Sequence, residues 1–260
     1  MLLAIVYFLV CLAATTAGGI SGVGGGVIIK PVLDAVSGMG VATVSFLSGC
    51  TVLAMTATSM IRSRGGSVKV EPRRGTLLAV GAAVGGILGK ELFEIVRGAG
   101  GVTVDIAQQV MMILLTVGVF IYTLKKDGIR TVNVTNALAC ILIGLVLGLL
   151  SAFLGIGGGP INLAVLYFFF SMDSKTAALN SLYVILFSQA ASFINTLVRG
   201  TVPDFDWLVL IAMCVGGVLG GILGRSISAR LTNKGVDRLF LVIMAVITLI
   251  SCYNLVMCFV

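Results

Sequence analysis

The chain has 260 residues, of which 58% are hydrophobic and only 10% charged. Soluble domains carry roughly 45–50% apolar and about 25% charged residues, so the composition excludes an ordinary water-soluble fold and indicates an all-α, polytopic helical membrane protein. The net charge of +7 does not call for nucleic acid, because the basic residues stand at the ends of apolar runs, where membrane topology accounts for them.

In chain order, the apolar runs are 2–20, 26–36, 39–61, 75–96, 106–124, 136–154, 160–172, 176–198, 207–229 and 239–259. Most approach the ~20 residues that carry a helix across a hydrocarbon core of roughly 30 Å. The first run lacks a basic leader and continues into a glycine cluster, so it reads as retained structure rather than a signal peptide. Runs 26–36 and 160–172 are different. At ~1.5 Å per residue they reach only about 16–20 Å, and they read as half-helices.

Each half-helix follows a run of the form Gly-x-Gly-Gly-Gly, at Gly22–Gly26 and at Gly155–Gly159, with Pro160 closing the second. Such backbone survives at membrane depth only where protein buries it or where it lines a wet cavity. The two clusters are copies. An offset of 133 aligns Gly22–Gly26 with Gly155–Gly159, Ser48 with Ser181 and Ser59 with Ser192. An offset of 135 aligns Val80–Lys90 with Val215–Arg225, identical at seven of eleven positions. The chain therefore reads as two repeats, 1–125 and 136–260, joined by a polar linker at 126–135. The first holds a broken hairpin at 2–36 and spans at 39–61, 75–96 and 106–124. The second holds a broken hairpin at 136–172 and spans at 176–198, 207–229 and 239–259.

Charge bias sets the orientation. Loop 62–74 carries Arg62, Arg64, Lys69, Arg73 and Arg74 against Glu71, whereas its counterpart 199–206 has Arg199 with Asp204 and Asp206. The bias reverses at the next pair: 225–238 holds Arg225, Arg230, Lys234 and Arg238, and 90–105 balances Lys90 and Arg97 with Glu91, Glu94 and Asp105. Positively charged loops lie on the cytoplasmic side, so the repeats are expected to be inverted. Three spans per repeat produce that inversion if each broken hairpin starts and ends on one face. The linker is then cytoplasmic and both termini extracytoplasmic.

A glycine turn feeding a helix start offers free N–H groups and the positive end of the helix dipole, an arrangement suited to anions. Two inverted copies bring two such starts towards the bilayer midplane, as in many secondary transporters. The candidate substrate-binding residues are Gly22, Gly24, Gly25, Gly26, Gly155, Gly157, Gly158, Gly159 and Pro160 at the breaks, with Lys30, Asn162, Ser48, Asn180 and Ser181 nearby. Lys30 is a charge within a half-helix, open to an anion or to pairing with Asp34. Asp34, Asp173, Asp204 and Asp237 sit near run ends, so the polar lining favours a neutral or anionic substrate over a cation. Gly81, Gly85, Gly89 and Gly216, Gly220, Gly224 have the Gly-xxx-Gly spacing of close helix contacts, across the repeat or against a second subunit in a homodimer.

Other chemistries lack their residues. Neither glycine run follows a soluble strand or continues into Gly-Lys-Ser/Thr, which removes dinucleotide and P-loop readings. The chain has no histidine to serve an intramembrane protease as base or to complete a zinc set. The six cysteines lie singly in apolar runs as packing residues. No catalytic residue, metal or cofactor is expected.

The duplicated Gly-x-Gly-Gly-Gly breaks, Gly157 to Pro160 before a short apolar half-helix, Asn180 and Ser181 opening the next helix, and the glycine-rich Val215–Arg225 segment resemble the sulfite exporter TauE/SafE family over essentially the whole chain. The first break departs from the second in having Val27 where Pro160 stands. The resemblance implies a multi-pass permease of the bacterial inner membrane for small sulfur-containing anions such as sulfite or organosulfonates, often acting in export. The expected function is a secondary transporter, with a passive anion channel or a non-transporting subunit of a membrane complex as alternatives.

Overall fold

A computed structural model describes residues 2–65, 68–100, 102–154 and 158–257. Every regular element among them is helical: α1 Leu2–Ser21, α2 Gly26–Val36, α3 Val41–Ser63, α4 Pro72–Gly100, α5 Val102–Lys125, α6 Ala137–Phe153, α7 Gly159–Phe170, α8 Ser174–Val198, α9 Trp207–Arg230 and α10 Asn233–Met257. A single 3-10 turn, Lys126–Gly128, follows α5. Seven of the described helices (α1, α3, α4, α5, α8, α9 and α10) are long and apolar enough to cross a membrane, while α6 and α7 are shorter. The outer surface is apolar as well, with Leu9, Leu114, Leu138, Val198 and Leu249 all more than half exposed. Patches of that extent on a monomer mark contact with lipid or protein.

The helices overrun the apolar runs at their polar ends. The fourth run, read as 75–96, is a helix from Pro72 to Gly100, and the last, read from 239, begins at Asn233. Hydropathy marks the segment that tolerates lipid, whereas helix hydrogen bonding continues into the flanking polar turns. Pro72 suits a helix start, where its missing N–H has no partner to lose.

The glycine rows act as contact surfaces within the chain. A methyl group on Gly89 would stand 2.5 Å from the Leu149 carbonyl oxygen, and Gly81 and Gly85 press on Ile141 and Leu145 in the same way. Those contacts join α4 to α6. Gly216, Gly220 and Gly224 meet the carbonyls of Phe8, Leu12 and Thr16 at 2.8, 2.9 and 2.7 Å from the same constructed methyl, joining α9 to α1. In a membrane, helix association rests on such close backbone packing. The largest helix–helix interfaces, α4 on α6 and α1 on α9, therefore each run from one half of the sequence to the other. The same exchange relates α3 on α9 to α8 on α4, and α2 on α3 to α7 on α8.

Side-chain bonds define two ends of the bundle. At one end, which we term the linker face, Lys126 Nζ pairs with Asp237 at 2.6 Å and bonds Ser174 Oγ at 2.7 Å. Here too Arg74 donates to Asn133, and the Glu71 N–H donates to Asn180 Oδ1. The starts of α4, α8 and α10 thus meet the end of α5. At the far face, Arg199 after α8 pairs with Glu91 late in α4, Thr43 donates to the Asp204 carbonyl, and Gln108 near the start of α5 donates to the Phe153 carbonyl.

Candidate anion site

The two broken segments meet inside the bundle. Gly159, the first residue of α7, lies directly against the Val23 backbone, where any Cβ would overlap the Val23 carbonyl. Gly22 (φ +81°) and Gly158 (φ +88°) adopt left-handed conformations that L side chains disfavour, which lets the chain reverse at each break. The first turn is tied across the repeat: buried Ser181 on α8 donates to the Gly22 carbonyl at 2.7 Å. Neither half-helix start carries a side-chain cap, so the first N–H groups of α2 and α7 keep their hydrogen-bonding capacity for something else.

Beside this junction lies a cavity of about 440 Å³. Its floor contains Gly26 and Gly158 at the two half-helix starts, together with Ser48, Ser151 and Asn162. Asn162 is 3% exposed, and its amide would stand 3.2 Å from a methyl on Gly158. Ser151 Oγ is buried and meets no hydrogen-bonding partner among the described residues. Such an orphaned donor costs about 1–3 kcal/mol unless a ligand or water satisfies it. The walls are α4 (Ala82, Gly86, Lys90) and α8 (Val184, Ser188, Gln189, Ser192), with Lys30 on α2. The outermost lining residues, Ala42, Phe93, Gln108, Thr201 and Pro203, belong to the far face. The cavity thus runs from the far face down to the glycine junction.

Two lysines and no carboxylate line the cavity among the described residues. A concave lining whose only formal charges among the described residues are positive favours anions. Hydroxyls and amides at Ser45, Ser48, Ser188, Gln189, Ser192 and Asn162 add neutral polar groups. No group of histidine, cysteine and carboxylate side chains able to hold a metal ion occurs among the described residues.

Of the residues singled out from sequence, Gly26, Lys30, Ser48, Gly158 and Asn162 line the cavity. The others lie elsewhere. Gly25 packs on Thr15 and Gly24 on Ile185, and Gly22 abuts Ala178. Pro160 sits in the first turn of α7, next to the Gly159 contact with Val23. Asn180 spends its amide on the Glu71 N–H and the Thr176 carbonyl, pinning the start of α4. Gly155 and Gly157 lie outside the described residues. Sequence reasoning missed Lys90, Gln108 and Ser151. Lys90 had been counted with a loop, yet its alignment with Arg225 was a signal that a basic residue recurs at this point of the repeat.

The model of the sulfite exporter TauE/SafE family matches residues 7–250. The chain belongs to the TauE/SafE family. Among curated proteins it is 24% identical over 268 residues to the "Probable membrane transporter protein YunE" of Bacillus subtilis (strain 168), covering 93% of each chain. No solved structure matches it. The family and this relative together indicate a membrane transporter.

Proposed function

We propose that this TauE/SafE protein is a secondary transporter of the cell membrane that exports small sulfur-containing anions, such as sulfite or organosulfonates, by alternating access between inverted repeats. The observation that carries the reading is the cavity floor. There, two uncapped half-helix starts, Asn162 and an unsatisfied Ser151 hydroxyl converge below Lys30 and Lys90, with no carboxylate among the described lining residues. Backbone N–H groups at a helix start and neutral donors suit the spread charge of a sulfite or sulfonate oxygen set. The size also fits, since small-molecule sites occupy roughly 300–1,000 Å³. Substrate rests between Gly26 and Gly158, with Asn162 and Ser48 orienting it and the lysines raising its local concentration.

Purified protein in liposomes tests this with sulfite, sulfate, thiosulfate, sulfoacetate and chloride. Concentrative flux of a sulfur oxyanion or sulfonate is expected, lost in Gly158→Leu and reduced about tenfold or more in Asn162→Leu, the size expected for one bond to a charged group. Flux equal to that of the unaltered chain in both variants, with both inserted and folded, removes the half-helix site.

A further inference from the structure

The repeat places a second cationic residue where nothing has yet assigned a role. Offset by 135, the cavity-lining row Ala82, Gly86 and Lys90 of α4 corresponds to Gly217, Gly221 and Arg225 of α9. Offset by 133, its facing row Val184, Ser188 and Ser192 of α8 corresponds to Thr51, Met55 and Ser59 of α3. The two pairs of rows are in different states. Between α4 and α8 the rows stand apart around the cavity, and a methyl on Gly86 would meet nothing within 4 Å. Between α9 and α3 they are shut. A methyl on Gly217 would come within 2.7 Å of the Thr51 carbonyl oxygen, and one on Gly221 within 2.7 Å of that of Met55 and 3.2 Å of Ser59 Oγ. Ser59 is fully buried and donates to the Gly221 carbonyl at 3.5 Å.

Arg225 lies one helical turn beyond Gly221 towards the linker face. It is only 8% exposed, and its Nε and Nη1 find no hydrogen-bonding partner among the described residues. Its counterpart Lys90 is exposed at the open cavity. An unsatisfied guanidinium is a poor component of a permanent packing core, because burial removes its hydration without replacing it. It is a sensible component of a site that is closed in this conformation and wet in another.

We propose that the α3–α9 seam is the shut counterpart of the α4–α8 cavity, and that Arg225 is the anion-contacting cation when that seam opens to the linker face. This rests on the proposed anion transport and adds a residue, a gate and a second facing to it. Opening one seam while the other closes lets the same glycine junction face the two sides in turn. Arg225 then does for the linker face what Lys90 does for the far face. Because guanidinium binds oxyanions in a bidentate fork and ammonium binds as a point charge, the two facings hold the same anion differently.

The test uses the full chain in liposomes, with its six cysteines replaced and a single cysteine introduced as Ser59→Cys or Ser192→Cys. A membrane-impermeant thiol reagent is expected to label Ser192→Cys readily and Ser59→Cys slowly. Filling the open seam with Gly86→Trp, or with the milder Gly86→Leu, is expected to reverse the order, with Ser59→Cys labelling rising about tenfold or more as the populations shift. In the Gly86→Trp background, sulfoacetate slows Ser59→Cys labelling when Arg225 is present. That protection is lost in Arg225→Gln and restored in Arg225→Lys. Ser59→Cys that remains unreactive in both Gly86 variants, while the parent chain still carries flux, overturns the gate and leaves anion transport standing. Protection unchanged by Arg225→Gln overturns the role of the arginine. A labelling reversal without flux of any tested anion, and without sulfoacetate protection, sinks the anion substrate and leaves only the moving seam.

Discussion

Serine and threonine hydroxyls show how individual residues divide between structure and site. Thr51, Thr56 and Thr58 donate to the carbonyls four residues earlier, at 2.9, 2.8 and 2.7 Å, so each satisfies itself within α3. Ser181 reaches instead from α8 to the Gly22 carbonyl, from a fully buried position. Ser181→Ala is therefore expected to lower stability by about 1–2 kcal/mol, read as a drop in Tm in detergent. Thr58→Val should cost less than about 0.5 kcal/mol. A Tm for Ser181→Ala equal to that of the parent would show that the cross-repeat bond does not hold the turn. Residue types and spacing alone did not separate these cases, because a hydroxyl on a helical face looks the same whether it bonds its own helix, another helix or a ligand. Ser48 and Ser181 occupy equivalent positions of the repeat, yet one lines the cavity and the other is locked to the first break.

Among the elements, the glycine breaks and glycine rows were readable from sequence because they violate what an apolar helix otherwise requires. A row of three glycines four residues apart makes one smooth helix face, and the structure fits each row to a backbone. The partner was not readable. Spacing suggested that the rows meet across the repeat or against a second subunit, whereas within the chain α4 pairs with α6 and α9 with α1. The cavity walls were hidden for a related reason: they are built from α4 and α8, whose approach is set by those distant pairings. Substitution separates packed from unpacked glycines. Gly85→Leu, placed against the Leu145 backbone, should abolish the folded monodisperse protein in size-exclusion chromatography. Gly118→Ala, on α5 with nothing within 4 Å of an added methyl, should fold normally and gain up to about 0.5–1 kcal/mol from its better helix propensity. Equal behaviour of the two would mean that the α4–α6 contact is not what holds the bundle.

For the molecule as a whole, the main helix pairings (α4 on α6, α3 on α9, α2 on α3) have counterparts (α9 on α1, α8 on α4, α7 on α8) when each of the first five helices is exchanged with the helix five places later. The sequence offsets are the basis of the proposed duplication, and the charge bias of matching loops is the basis of the proposed inversion. The orientation is open to a direct check. Reporters fused after Val260 and ahead of α1 are expected to be active only outside the cytoplasm, and one inserted at 128–130 only inside. A cytoplasmic reporter after Val260 removes the arrangement of two hairpins entering from opposite sides. With this orientation the far face is extracytoplasmic, so the cavity is open outwards while the α3–α9 seam closes the cytoplasmic path. A pore continuous from one face to the other would require both seams to be open at once.

The pairing of α1 with α9 also has a consequence for biosynthesis. At roughly 5–20 residues per second, a ribosome needs about 10–40 s after finishing α1 to deliver α9. During that interval the face of α1 destined for Gly216, Gly220 and Gly224 has no native partner. Its sequence suits the wait: Leu2–Ser21 contains no charged residue, and Thr15 and Thr16 bond the carbonyls of Cys11 and Leu12 on their own helix. The nascent helix can rest in lipid until its distant partner emerges, and assembly of the first half is completed only by the last helices to leave the ribosome.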